Sequence, residues 1–215
     1  MTAATPAVET ALRALFPAGV AVAAEAIAPA SAAQLWPEEQ SAMAGAVPSR
    51  LAEFAAGRTA ARRALVQLGQ PLQPLPMAPD RAAIWPAGVS GSIAHAAGFA
   101  IAVARHGPAL GVDIEDDTAI PSDLWPILCG PDELQRLGRG TGHQVKRLFC
   151  AKEAVFKAQA PGSRAMFGHE ILSVTLAGNQ FDAQFLDHAG AFRAGQIVRG
   201  RIAVVHGLVL AGVAV

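Results

Sequence analysis

A mixed α/β chain is predicted by three features of the 215-residue sequence. One helical stretch runs from Pro48 to Leu68, short apolar strand segments follow it, and a second helical stretch from about Gln144 to Ala160 leads into strand-like sequence up to the C-terminus.

In the first helix, Leu51, Phe54, Ala55, Ala61, Leu65 and Leu68 recur at helical spacing, and Gly69 supplies a stop. The next stretch, Gln70 to Gly88, holds five prolines and is expected to be an extended, ordered loop. Phe99–Ala104 is short and apolar, bounded by Gly98 and Arg105, and Leu110–Ile114 repeats that pattern after a His-Gly-Pro turn; two adjacent strands are the natural reading. Residues 121–140 look polar and mostly helical. In the second helix, QVKRLFCAKEAVFKAQA, Pro161-Gly162 is expected to end the run. The segments ILSVTLA, QFDAQFLD and GQIVRGRIAVVHGLVLAGVAV then read as strands. SIAHAAGFAIAVA at 92–104 echoes AVVHGLVLAGVAV at 203–215, each a strand, a His, a turn and a strand, which hints at two similar lobes.

The length suits one compact globule or two lobes of roughly 100 residues each. Apolar residues form 52% of the chain and mean hydropathy is +0.33, so a packed core is expected rather than disorder. No apolar run reaches the roughly 18 residues that span a bilayer, so no membrane insertion is expected. The first twenty residues lack a basic leader followed by an apolar block, and no secretion is implied. Cys129 and Cys150 form neither a disulfide framework nor a metal-binding spacing, which fits a reducing cytoplasm and two plain buried thiols. Seventeen basic residues balance seventeen acidic ones, unlike the strongly basic balance of a dedicated nucleic-acid binder. An anionic ligand would have to be met by a local cluster of cations.

Four acids occupy five positions at Asp113–Asp117, where the strand from Leu110 ends. Asp113 and Glu115 are two apart and share a strand face, where two carboxylates call for a cation between them; oxygen donors suit Mg²⁺. A strand running out into solvent shows acids as well. On the second helix Glu153 and Lys157 are four apart, flanked by Phe149 and Phe156. Such a pair is common on helix surfaces, but facing Asp113 and Glu115 it could hold a metal and a phosphate together. Arg50 and Arg58, eight residues apart, share a side of the first helix, with Arg62 and Arg63 nearby and Arg81 in the proline loop; guanidinium forks match phosphate, though a solvated face would look the same. His95 could hydrogen-bond inside the core or donate to a pyrophosphate.

In order along the chain, RLAEFAAGRTAARRAL, IWPAGVSGSIAHAAG, GVDIE and FCAKEAVFKA match R-x-x-E-F-x-x-x-R-x-x-A-R, W-P-x-G-x-x-G-S-x-x-H, G-[IV]-D-x-E and [WF]-[SC]-x-K-E-[AS]-x-x-K. From about residue 48 to 175 the chain thereby resembles the surfactin-synthetase-activating and enterobactin synthase component D type of 4'-phosphopantetheinyl transferase. The resemblance implies an α/β (α+β) fold of two similar lobes with pseudo-twofold symmetry, residues 1–107 on the adenosine side and 108–215 carrying metal and catalytic helix, with the active site in the cleft between them.

It further implies a Mg²⁺-dependent transfer of phosphopantetheine from coenzyme A to a serine of an apo carrier protein, acyl, peptidyl or aryl, releasing 3',5'-adenosine bisphosphate. Asp113, Glu115 and Glu153 would bind the metal, Glu153 would act as general base, and Lys157 and His95 would contact the phosphates. Arg50, Arg58 and Arg81 would meet the 3'-phosphate end, with Ser92 and Lys152 also on the coenzyme A side. Ala94 and Arg81 depart from the Ser/Thr and the Lys found in relatives. A monomer is expected, because an intramolecular pseudo-dimer needs no second copy. Two other readings share these residues: a Mg²⁺-dependent nucleotide phosphohydrolase, and a binding module for coenzyme A or a carrier that has lost turnover.

Overall fold

The computed structural model describes residues 4–163 and 168–215. Helix α1 (Thr5–Ala14) leads into strand β1 (Ala21–Ala26), and a 3₁₀ turn at Pro29–Gln34 precedes the one-turn helix α2 (Pro37–Gln40). Helix α3 (Pro48–Gln67) is followed by the proline loop and by strands β2 (Val89–Ala96), β3 (Phe99–His106) and β4 (Leu110–Asp116). Short helices α4 (Trp125–Leu128) and α5 (Pro131–Leu137) come next, then α6 (Gly142–Ser163) and strands β5 (Leu172–Ala177), β6 (Gln180–Phe185), β7 (Ile197–Val205) and β8 (Leu208–Ala214).

The strands form two antiparallel sheets, one ordered β1-β3-β2 and the other β4-β8-β7-β6-β5. The class is mixed helix and sheet, as the sequence predicts. In one respect it differs: β3 and β4 follow each other in sequence but do not pair, because β4 takes β8 as its partner with Asp113 opposite Ala211. Alternation explains this. Val112 and Ile114 share a core with β3's Ile101 and Val103, and β4 runs alongside β2, the edge strand of the first sheet, where the Val112 N–H donates to the Ser92 hydroxyl rather than into a ladder.

Each sheet has its own helix. Alanines 60, 61 and 64 of α3 pack on Ala21, Ala23, Ala102 and Ala104 of the first sheet. Val145, Leu148, Ala151, Ala154, Val155 and Ala158 of α6 pack on Val209, Ala211 and Val213 of β8 and on Phe181 and Phe185. Helix α1 adds Val8 and Leu12 to the core between the sheets, and Phe16 joins them just past its end. The sequence echo corresponds to two hairpins of the same kind, β2-β3 and β7-β8. Each turns through two left-handed residues, Ala97-Gly98 at φ 48° and 81° and His206-Gly207 at 50° and 72°. The order β1-β3-β2 is matched by β4-β8-β7 in the other sheet.

Helix α6 runs through Pro161 and Gly162 to Ser163 instead of stopping before them. A proline in the last turn of a helix forfeits its own bond to the carbonyl four residues back and crowds that carbonyl, a cost that falls at the helix end and does not stop the last turn. Among the described residues no helix is long and apolar enough to cross a membrane. Cys129 and Cys150 are buried free thiols.

Candidate active site

Residues 111, 113 and 115 of β4 point at α6, while 110, 112 and 114 point into the inter-sheet core. Gly111 makes that approach possible: a Cβ there would lie 2.0 Å from the Ala154 carbonyl oxygen and 2.6 Å from the Ala158 nitrogen. With the helix laid so closely on the strand, the α6 stripe Lys146, Cys150, Glu153 and Lys157 stands over Asp113 and Glu115.

Lys157 Nζ donates to Asp113 Oδ1 at 2.5 Å. Asp113 is buried, and its Oδ2 has no hydrogen-bond partner among the described residues, the nearby Cys150 thiol directing its proton to the Val209 carbonyl at 3.7 Å. At the other end Lys146 Nζ lies 3.3 Å from Glu115 Oε2 and 3.1 Å from Asp116 Oδ1. Burial raises the carboxyl pKa of Asp113, against the opposing pull of Lys157. Burial and the Asp113 charge raise that of Glu115. Glu153 is raised by burial too, with Lys157 opposing and Glu115 adding to the rise. Three acids thus hinder one another's ionisation in one place.

Hard oxygen donors and one buried, unsatisfied carboxylate oxygen fit a divalent cation of the Mg²⁺ kind. As they stand, among the described residues, no three His, Cys, Asp or Glu side chains are drawn together to hold an ion. Like charges stay apart, and the two lysines take the nearest oxygens.

A second cluster lies at the end of β2. Arg50 Nη1 lies 2.6 Å from His95 Nε2 and 3.3 Å from Glu53 Oε2, and His95 Nδ1 is 3.9 Å from that same oxygen. Burial lowers the imidazole pKa; Glu53 opposes this, and Arg50 and Lys157 reinforce it.

The other sequence-predicted residues are placed differently. Arg58 is buried, its Nε donating to the Leu75 carbonyl at 2.6 Å and its guanidinium 4.1 Å from the Phe54 ring centre, while Nη2 is without a partner among the described residues. Burial, with the charges of Arg62 and Arg50, lowers its pKa to about 10 against the pull of Glu39. Arg81 is exposed on the proline loop at φ 68°. Arg62 is tied to Glu39 at 2.7 and 2.8 Å, and Arg63 to Glu9 and Glu25, both at 2.8 Å. Ser92 lies in the seam between the sheets, its hydroxyl accepting from the Val112 N–H at 3.1 Å. Lys152 is 1% exposed, its ammonium donating to Glu133 at 2.7 Å and to the Leu128 carbonyl at 2.9 Å.

Four residues of this neighbourhood are not singled out by the sequence reading: Gly111, Lys146, Glu53 and Glu133. Lys146 could have been found by continuing the Glu153–Lys157 stripe backward at steps of three and four. Glu133 carried no signal, because its partners, Lys152 and the N–H groups of Gly130 and Val174, are spread over 45 residues of chain.

Residues 38–105 match the 4'-phosphopantetheinyl transferase N-terminal domain, and residues 109–201 the 4'-phosphopantetheinyl transferase superfamily. The chain is 37% identical over 195 residues to 4'-phosphopantetheinyl transferase Svp of Streptomyces mobaraensis, covering 84% of this chain and 78% of that protein. It is 31% identical over 191 residues to PptT of Mycobacterium tuberculosis, covering 82% and 84%. The chain belongs to the 4'-phosphopantetheinyl transferase family. The transferase is also 33% identical over 145 residues to enterobactin synthase component D of Escherichia coli, covering 65% of this chain and 69% of that one. Those matches reach beyond residues 48–175, where the transferase carries its readable motifs.

Proposed function

We propose that this transferase moves the 4'-phosphopantetheine group of coenzyme A onto the serine hydroxyl of an apo carrier protein, releasing 3',5'-adenosine bisphosphate. The observation that carries this reading is the α6 stripe laid over Asp113 and Glu115, with a buried carboxylate oxygen left unpartnered.

A Mg²⁺ ion held by Asp113, Glu115 and Glu153 would neutralise the charge that builds up on the pyrophosphate during in-line displacement. Glu153 takes the serine proton, directly or through water, as the hydroxyl attacks the β-phosphorus and the bond to the bridging oxygen breaks. Lys157 sits where it can exchange Asp113 for a phosphate oxygen, and His95 and Arg50 extend the cationic surface along the ligand. Arg58, with its unpartnered Nη2, and the exposed Arg81 serve the 3'-phosphate end. Ser92 and Lys152 complete the coenzyme A side: the Ser92 hydroxyl accepts from the Val112 N–H but keeps its own proton to donate, and Lys152, held by Glu133 and the Leu128 carbonyl, acts by fixing α6 beside Glu153. The chain divides near residues 107/108, each part contributing one cluster, and it acts as a monomer in the cytoplasm on an acyl, peptidyl or aryl carrier.

Intact-protein mass spectrometry of apo acyl and apo peptidyl carrier proteins, incubated with the transferase, coenzyme A and Mg²⁺, tests this. One added phosphopantetheinyl group, absent with Glu153→Gln, is expected. Breakdown of coenzyme A without an acceptor would replace the reading with a hydrolase.

A further inference from the structure

Glu53 has no part in the reaction as derived above, yet it closes a triad. Arginine can only donate, so the 2.6 Å contact from Arg50 Nη1 makes His95 Nε2 an acceptor and leaves the single imidazole proton on Nδ1. That nitrogen faces Glu53 Oε2 at 3.9 Å, and the same oxygen is 3.3 Å from Arg50. Arg50 and Glu53 of α3 stand against the ring, and Lys157 of α6 is the further charge that bears on it. Glu53 is thus the single anion among them.

A neutral imidazole whose lone pair is covered by Arg50 cannot donate to a phosphate from Nε2. We infer that Glu53 is a positioning residue that supports His95 as a doubly protonated donor once Arg50 turns from the imidazole to the ligand's phosphate. In that step one proton passes from solvent to Nε2, the Arg50–Nε2 bond is replaced by bonds from Arg50 and from Nε2–H to phosphate oxygens, and Glu53 faces the imidazolium through Nδ1–H. The inference rests on the reading of the cleft as a phosphate site and adds a proton to the binding equilibrium.

The test combines ¹⁵N-histidine NMR with calorimetry in buffers of different ionisation enthalpy, using inorganic pyrophosphate and coenzyme A as separate probes. His95→Asn assigns the resonance and subtracts protons taken or released by the ligand itself. In the free protein, Nε2 is expected to carry the unprotonated signature. On binding, both nitrogens become protonated with uptake of about one proton through His95, and Glu53→Gln reduces that uptake at least about twofold. The same variant should weaken coenzyme A binding about tenfold with kcat changed less than about threefold, and Glu53→Asp should restore part of the uptake. Equal protonation of bound His95 in wild type and Glu53→Gln, or a bound Nε2 that stays unprotonated, overturns the inference. Glu53-dependent uptake with pyrophosphate but no binding of coenzyme A would uphold it while overturning the proposed substrate; no binding of either probe overturns both.

Discussion

Lys157 donates to one oxygen of Asp113 while the other is buried and, among the described residues, unpartnered, so a single carboxylate holds both a satisfied and an unsatisfied acceptor in the same site. A buried acid of this kind destabilises the ligand-free fold when ionised. Its pKa is raised, so the folded state is favoured by the protonated form and loses that advantage as pH rises through the folded value. Asp113→Asn should therefore raise the thermal midpoint at neutral pH, without divalent cation, by about 2–4 °C. The gain should shrink as pH falls toward the ordinary carboxylate range. Transfer to a carrier should drop at least about a thousandfold. Calorimetric scans across pH beside a carrier-loading assay check both effects.

Glu153 is expected to matter for turnover more than for binding. Glu153→Gln keeps the shape of the side chain but cannot accept the serine proton. kcat should fall by about 10²–10⁴ while coenzyme A still binds. Calorimetric titration beside single-turnover kinetics separates the two.

Gly111 tests the close approach of α6 to β4. Gly111→Ala puts a methyl group 2.0 Å from the Ala154 carbonyl oxygen, and backbone cannot yield as a flexible side chain can. The helix must move away, carrying Glu153 and Lys157 off Asp113. A loss of about 1–3 kcal/mol in urea denaturation is expected, with a larger proportional loss of transfer activity.

Lys152 lies next to Glu153 in sequence and ties α6 to α5 through Glu133. Lys152→Ala leaves Glu133 buried without its cation and should cost about 3–5 kcal/mol of stability by chemical denaturation. Replacing both residues, Lys152→Met with Glu133→Leu, removes the charges together and should recover part of the loss.

Local patterns were enough for the helices at 48–68 and 144–160 and for most of the later strands, because periodicity shows which side of each element is apolar. Strand β1, AVAAEA, escaped that reading: alanine has little strand preference, and only its antiparallel pairing with β3 makes the segment a strand. Sequence neighbours are the default strand partners, yet β4 pairs with β8, a choice made by burial of Val112 and Ile114 that no local pattern displays.

At the candidate site the motifs named the acids and lysines, and family membership follows from them together with the relatives. Which charges meet is a different question. Lys152 and Lys157 stand in one motif, yet one is locked to Glu133 in the core and the other lies on Asp113. Five positions along a helix turn side chains about 140° apart, so only the packing of α6 on β4 and α5 assigns them to core and cleft. The sequence by itself determined which chemical groups are available and on which elements they ride. The tertiary structure decided which of them are buried as pairs and which are left with an unsatisfied atom, because desolvation and contact depend on neighbours distant in the chain.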